Sequence, residues 1–243
     1  MAQGKALSLI HILAVRLKDL DRLKDQFVHT VSHDLRNPLN AIGTCAKVLL
    51  SDQPTGESRA LLDAVERSVV RLRGMVDNLL DVARLRDGGL VFRVASFDVT
   101  PGLNELLRLY RPLAEKTQKE IALDLPQNLP PLVADEEKTL RVFHNLVANA
   151  FKFTRPGDRI TIRGTVENAG SVAFQVDDTG PGIPPERMAR LFQPFRAGEG
   201  AEAQQGSGLG LSIVKSLVEG QGGILTVTSL PGKGTSLRFT VKS

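Results

Sequence analysis

The sequence contains few of the residues that support disulfide, metal or membrane chemistry. Its 243 residues include one cysteine, Cys45, four histidines and no tryptophan. A single cysteine excludes an internal disulfide and a cysteine-based metal site. The apolar run from Leu7 to Val15 is too short to span a bilayer and lacks a signal-peptide cleavage pattern. We therefore expect a soluble, cytoplasmic chain, either a stand-alone protein or the cytoplasmic part of a membrane-bound parent.

Neither sign of charge is in large excess. The 31 Lys and Arg residues against 27 Asp and Glu residues give a net charge of +4, and the basic residues are scattered rather than clustered with aromatic ones. This distribution predicts no nucleic-acid partner. A hydrophobic content of 42% and a charged content of 24% are typical of a globular protein with one large or two modest domains.

The most informative stretch runs from Phe27 to Leu50. Its apolar residues recur at steps of three and four, which predicts a helix with one buried seam. They are Val28, Val31, Leu35, Leu39, Ile42, Ala46 and Leu49. His33 lies two positions from this seam, or roughly 200° around the helix, so its imidazole is expected to face water together with Asn37, one turn later. The adjacent Asp34 can orient an imidazole that acts as a nucleophile.

A second helix is predicted from about residue 57 to residue 86, after a polar turn at residues 51–56. Its apolar residues follow heptad spacing. They are Leu62, Val65, Val69, Leu72, Val76, Leu79 and Ala83. Two antiparallel helices cannot bury such broad faces alone, so a homodimeric four-helix bundle is the economical solution. The alternative is a helical hairpin that packs on the chain's own second domain.

After a predicted hinge at Asp87-Gly88-Gly89, helices and strands are mixed. Helices are predicted at 100–116, 135–153 and 209–219, with Thr100 and Asp135 as N-caps. Strands are predicted at 121–125, 132–134, 159–166, 171–177, 224–229 and 235–241, with one more within 90–99. Helices combined with antiparallel hairpins predict an α+β sandwich.

Four polar or glycine-containing blocks interrupt this pattern. On the predicted helix 135–153, the side chains of Asn145, Asn149 and Lys152 form one polar stripe. The other blocks are Asp177–Pro184, Phe192–Phe195 and Gly206–Leu211. The last precedes a helix, where glycine-rich backbone and the positive end of the helix dipole favour phosphate. It is not a P-loop, because no Lys-Ser/Thr pair follows the glycines.

Ser32 to Asn40 resembles the H-box of two-component sensor histidine kinases. The four blocks resemble that family's N-box, G1 box, F-box and G2 box in the expected order, and the resemblance covers about residues 20 to 243. It implies a HisKA-type dimerisation and phosphoacceptor domain followed by a GHKL-type ATP-binding domain. The domain boundaries it implies are 1–26 for a signal-transmitting coiled-coil helix, 27–89 for dimerisation and phosphotransfer, and 90–243 for ATP binding.

The resemblance also implies a role for individual residues. His33 is the phosphoacceptor, Asp34 its base or orienter, and Asn37 a residue that positions water for phosphatase activity. Asn149 holds Mg²⁺ on the phosphates, and Asp178 accepts a hydrogen bond from the adenine amine. The other implied nucleotide contacts are Asn145, Lys152, Phe153, Gly180, Gly182, Ile183, Gly206, Ser207, Gly208, Leu209, Gly210, Leu211 and Thr235. Residues 185–206 form an ATP lid.

The implied partners are a second copy of the chain, the receiver domain of a response regulator, and an upstream sensor outside this chain. Two alternatives stay open: an ATPase clamp of the gyrase and Hsp90 type, and a nucleotide-binding scaffold that no longer transfers phosphate. The sequence departs from the family at His144, usually an apolar position, and at Asp34, in place of the commoner Glu. His29 is not expected to accept phosphate, because it has no adjacent acid.

Overall fold

The structure is a computed structural model that describes residues 91–167, 170–193 and 209–243, together with residues 35, 39–40, 42–46, 62, 65, 68–69 and 72. The chain divides into two compact units, residues 1–79 with 197–207 and residues 80–196 with 208–243. Among the described residues, no helix is both long and apolar enough to cross a membrane.

The described positions between residues 35 and 72 are all helical, in agreement with the two helices predicted there. Their apolar side chains differ in burial. Cys45 is buried, whereas Leu39, Leu62 and Val69 are 53%, 56% and 48% exposed. These three residues of the predicted seams therefore present apolar surface that a single chain does not cover.

The second unit is the predicted α+β structure, built on a five-stranded mixed sheet. Its elements are β1 (Ala95–Phe97), α1 (Thr100–Lys116), β2 (Glu120–Asp124), β3 (Leu132–Ala134), α2 (Glu136–Phe153), β4 (Arg159–Glu167), β5 (Ser171–Asp178), α3 (Pro185–Met188), α4 (Gly210–Gly220), β6 (Leu225–Leu230) and β7 (Gly234–Lys242). The strand order is β2-β4-β5-β7-β6, with β2 parallel to β4 and the other neighbours antiparallel. Strands β1 and β3 form a separate antiparallel pair.

The core of this unit lies between the sheet and the helices. Alternate residues of β5 and β7 point toward α2 and bury their side chains, as a period of two requires. Phe143 of α2 meets Phe174 and Phe239 with ring centroids 5.1 and 5.0 Å apart, and all three rings are at most 1% exposed. The edge-to-face arrangement of these rings stabilises the contact beyond area burial alone.

The two predicted N-caps have different outcomes. The Asp135 prediction is confirmed, because its carboxylate accepts from the backbone N–H of Lys138 at 3.0 Å. The Thr100 prediction is wrong. Val99 takes the N-cap position in a helical conformation. The side-chain acceptor is therefore Asp98, the residue before Val99, whose carboxylate accepts from the Thr100 N–H at 2.8 Å. This hydrogen bond lowers the pKa of Asp98.

Candidate nucleotide-binding site

The polar stripe of α2 faces the start of α4. Asn145 and Asn149 are half-buried, and a Cβ built on Gly210 would lie 3.4 Å from Asn145 Oδ1, 3.6 Å from Asn149 Nδ2 and 3.9 Å from Asn149 Oδ1. The Asn145 amide nitrogen donates to the Arg141 carbonyl at 2.9 Å, which leaves its oxygen directed toward Gly210. Spacing of four residues along one helix thus brings two amide groups to the first turn of another.

The start of α4 has no side-chain cap from any described residue. Leu209 occupies the N-cap position, and its side chain, 2% exposed, belongs to the core. The Ser212 hydroxyl donates back to the Leu209 carbonyl at 2.8 Å. The first N–H groups of a helix point along its axis with a partial positive charge, which suits them to an anion.

The end of α2 carries Lys152 and Phe153. The Lys152 ammonium lies 4.6 Å from the centre of the Phe153 ring, within the range of a cation–π contact. Phe153 is 41% exposed, and Lys152 is half-buried. A positive charge therefore lies one turn beyond Asn149 on the same helix.

Asp178 is the last residue of β5 and another predicted site residue. Its carboxylate is half-buried and accepts hydrogen bonds from the backbone N–H of Gly180, at 2.9 Å, and of Thr235. Burial raises the pKa of this carboxyl, against the two hydrogen bonds, which lower it. A partly exposed carboxylate at a strand end can accept a further hydrogen bond from an amine.

The neighbouring Asp177 is engaged elsewhere. Successive residues of a strand point to opposite faces of the sheet. The Asp177 carboxylate accordingly accepts from the Arg163 guanidinium at 2.9 Å, in an ion pair on the other face. Asp178 is therefore the carboxylate of this pair that faces the site.

Residues 179–184, here called the G1 loop, are fastened to the hairpin between β6 and β7. Gly182 has a φ of +71°, and a Cβ added to it would overlap the Leu230 carbonyl oxygen. The Ile183 N–H donates to Ser229 Oγ at 2.8 Å, and the Gly232 N–H donates to the Pro181 carbonyl at 2.7 Å. The loop's path is thus set by a hairpin some fifty residues later.

Ser229 is a residue of this region that the sequence analysis did not single out. Its position six residues before Thr235, a predicted nucleotide contact, was the available signal. Thr154 is a second residue that the sequence analysis did not single out. It lies close to the G1 loop, because its methyl carbon would be 3.1 Å from a Cβ built on Gly180.

Several predicted site residues lie outside the described residues, and their predicted roles stay predictions. They are His33, Asp34, Asn37, Gly206, Ser207 and Gly208. Of the predicted lid at 185–206, the structure describes residues 185–193, which include the single-turn helix α3. Phe192 of the F-box is half-buried, and Phe195 is outside the described range.

The residues around Gly210 suit the magnesium ion that the resemblance implies. Magnesium prefers oxygen ligands and usually completes its shell with substrate phosphates and water rather than with protein groups alone. Two amide oxygens beside a helix start that favours phosphate are compatible with that donor set. Asn149 is the residue that would hold the ion.

A mixed sheet covered by helices, with this pair of amides and this strand-end carboxylate, is characteristic of an ATPase-type nucleotide-binding domain. Residues 134–243 match the family model of histidine kinase-, DNA gyrase B- and HSP90-like ATPases. Residues 23–88 match the model of the phosphoacceptor domain of His Kinase A. With both domains in this order, the chain belongs to the sensor histidine kinase family.

Individual relatives agree with this assignment. The non-motile and phage-resistance protein of Caulobacter vibrioides is 32% identical over 236 residues, which cover 93% of this chain and 28% of the relative. The signal transduction histidine-protein kinase BarA of Escherichia coli K12 is 30% identical over 93% of this chain and 25% of its own length. The chain therefore spans about a quarter of the length of these curated relatives.

A solved structure of full-length ShkA in complex with AMPPNP is similar to this chain. Its TM-score is 0.67 at 31% identity, and the match covers 89% of this chain and 45% of ShkA.

Proposed function

We propose that this chain is the catalytic core of a sensor histidine kinase, which binds ATP within residues 95–243 and transfers the γ-phosphoryl group to His33. The observation that carries the proposal is the convergence of Asn145 and Asn149 on the start of α4, which no described side chain caps, together with the Asp178 carboxylate at the end of β5. The match of residues 23–88 to a phosphoacceptor domain supplies the acceptor.

Each end of the site contributes to nucleotide binding. Phosphoryl transfer demands mainly positioning and neutralisation of charge from the protein. The N–H groups at the start of α4 receive the phosphates, and Lys152 offsets their charge. Bound magnesium, held by Asn149, would supply further neutralisation. The Asp178 carboxylate accepts from the adenine amine and repels the carbonyl that guanine carries at the corresponding position.

The acceptor is the His33 imidazole. One ring nitrogen attacks the γ-phosphorus, a P–N bond forms, and the P–O bond to ADP breaks with ADP as the leaving group. Asp34 orients the ring and accepts the proton from the other nitrogen. The phosphoryl group then passes to an aspartate on the receiver domain of a separate response regulator.

The kinase is proposed to act as a homodimer. Leu39, Leu62 and Val69 lie on predicted helical seams and are about half exposed in a single chain. Pairing two such helical hairpins would cover these side chains in a four-helix bundle. The helix predicted from the sequence at residues 1–26 would connect the bundle to an upstream sensor.

The ATPase clamp is the main rival, because gyrase B and HSP90 share the ATPase family model. A clamp leaves the match of residues 23–88 unexplained. The presence of both Asn149 and Asp178 argues against a scaffold that has lost phosphate transfer.

Incubation with γ-labelled ATP tests the proposal. Wild-type protein is expected to incorporate acid-labile, base-stable label, His33→Gln to incorporate none, and the matched His29→Gln variant to label normally. ATP turnover without label would favour the clamp, and neither label nor turnover would favour the scaffold.

A second, dephosphorylating activity is proposed for Asn37. Asn37→Ala is expected to keep labelling of His33 and to lose dephosphorylation of the phosphorylated receiver domain. Undiminished phosphatase activity in this variant would remove the assignment.

A further inference from the structure

Ser229 lies in a row of three polar side chains that crosses the end of the sheet. The strand register places Asp178 of β5 opposite Thr235 of β7, and Thr235 opposite Ser229 of β6. Side chains directly opposite one another point to the same face. The row therefore lies on the helix-covered face, beside the carboxylate that the proposed function assigns to adenine.

We propose that Ser229 is a positioning residue of this site: it fastens the G1 loop to β7 and orients the Thr235 hydroxyl so that only its lone pairs face the purine. The inference rests on the proposed function and deepens it, since it names a residue that sets the base preference of the site.

The hydrogen bonds of Ser229 determine the direction of its contact with Thr235. A serine hydroxyl has one proton and two lone pairs. Ser229 Oγ accepts from the Ile183 N–H at 2.8 Å and donates to the Gly234 carbonyl at 2.9 Å. Thr235 Oγ1 lies 2.9 Å from Ser229 Oγ. If Ser229 gave its proton to Thr235 instead, its lone pair would face the carbonyl oxygen, so Thr235 must donate to Ser229.

This arrangement leaves Thr235 Oγ1 as an acceptor. Its only proton points to Ser229, and its lone pairs are directed elsewhere. The adjacent Asp178 carboxylate is also an acceptor, with the backbone N–H groups of Gly180 and Thr235 bound to it. Two neighbouring acceptors suit the amine of adenine, directly or through water, and disfavour the carbonyl of guanine.

Removal of the Ser229 hydroxyl has two consequences. The Ile183 N–H loses its acceptor, which releases the G1 loop from β6. Thr235 loses the acceptor that fixes its proton, so its hydroxyl becomes free to rotate and donate to the base. Discrimination against guanine should then fall together with affinity for adenine, a combination that a merely looser loop would not produce.

Calorimetric titration of the full chain with ADP and with GDP tests the inference. Ser229→Ala is expected to bind ADP about 10-fold more weakly, which corresponds to about 1.4 kcal/mol of binding free energy. The ratio of its affinities for ADP and GDP is expected to be smaller than that of the wild type. Ser229→Thr keeps the hydroxyl and is expected to restore the ratio. The control is Thr228→Ala, on the exposed face of the same strand, which is expected to bind as wild type does.

Because nucleotide affinity falls, the KM for ATP in autophosphorylation should also rise about 10-fold in Ser229→Ala. The kcat should stay within about twofold of the wild-type value. An unchanged ADP/GDP ratio in Ser229→Ala would overturn the inference and leave the proposed function intact. A wild-type chain that binds neither nucleotide would overturn both.

A measurement on the wild-type protein covers the case in which Ser229→Ala does not fold. Amide hydrogen exchange at Ile183 is expected to be slowed by its bond to Ser229, well below the rate of the same residue in an unstructured peptide. Exchange of Ile183 at the rate of an exposed loop would overturn the inference.

Discussion

The proposed nucleotide site has an adenine end, around Asp178 and the G1 loop, and a phosphate end, at the start of α4. These two ends differ in how far the described residues satisfy their own polar groups. At the adenine end, backbone N–H groups of Gly180, Ile183 and Gly232 each have a partner within the protein. At the phosphate end, the start of α4 has no side-chain cap from a described residue. The contrast with α2 is direct, because Asp135 caps the start of that helix.

This difference distinguishes polar groups that become hydrogen-bonded when the protein folds from groups that can still bind a ligand. The adenine end acquires its shape when the sheet and hairpin form, so substitutions there should change stability and binding together. At the proposed phosphate end, no described side chain caps the first N–H groups of α4, which suits them to an anion. Substitutions there should change activity and leave stability almost unaltered.

Asn149→Ala should have the largest effect and should be confined to activity. Loss of the amide that is proposed to hold magnesium is expected to reduce labelling of His33 at least about 100-fold, as for other groups that stabilise transition-state charge. Alanine is favourable in a helix, so the thermal midpoint should not fall. Labelling rate and melting are measured on the same preparation. Asn104→Ala, an exposed asparagine of α1, is the matched control, and labelling by Asn149→Ala at the control's rate would break the comparison.

Gly182→Ala should reduce stability and ADP binding together. Its positive φ costs a side chain about 1–2 kcal/mol, and the added methyl group would also overlap the Leu230 carbonyl. Gly232→Ala is the matched control, since Gly232 has a φ of +77° but no atom within 4 Å of an added Cβ. Denaturant unfolding and ADP titration measure the two effects. The comparison fails if both variants lose the same stability, because the φ alone would then explain the loss.

Local patterns were sufficient to predict the elements of the second unit except the single-turn helix α3, which lies within the predicted lid. Apolar repeats located α2 and β5 to within about one residue, because burial of one face imposes the period of each element. The Asp135 cap followed from its place before such a repeat. Thr100 was misassigned because the helical conformation of Val99 shifts the cap by one residue, which no sequence pattern reveals.

Contacts between distant segments could not be predicted in this way. Ile183 and Ser229 are 46 positions apart, and neither is unusual in its own segment. The requirement for glycine at 182 likewise arises from the Leu230 carbonyl, which only the hairpin brings there. The sequence indicated which blocks belong to the site, whereas tertiary structure determines how the adenine end is held.

Asp178→Asn should change binding and stability together at the adenine end, with a stability change that depends on pH. Loss of a charged acceptor is expected to weaken ADP binding about 10- to 100-fold. Because burial raises the pKa of Asp178, the wild-type fold gains stability from this group below pH 3.8 and loses it as the pH rises through the raised pKa. The melting midpoint of the variant relative to wild type should therefore increase from pH 4 to pH 7.

Asp177→Asn is the control for this experiment, since that carboxylate pairs with Arg163 on the opposite face. It should retain ADP affinity. If the relative midpoint of Asp178→Asn were constant across this pH range, the carboxyl would not be held in the buried state described.

His144→Leu should have the smallest effect. It tests whether a change in the stability of α2 also changes ADP binding, as is expected at the adenine end. The His144 ring lies 6.2 Å from that of Tyr110, and burial lowers its pKa, with Glu105 acting in the opposite direction. The stability that neutral His144 contributes is fully present above the pKa of 6.5 that it has in the unfolded chain. It is lost as the pH falls through the lower pKa that it has in the folded protein. Leucine should therefore flatten the fall in melting midpoint between pH 7 and pH 5, while ADP affinity stays at the wild-type value. A change in ADP affinity would mean that α2 transmits stability changes to the site, and the coupling of stability to binding would then extend beyond the G1 loop and its hairpin.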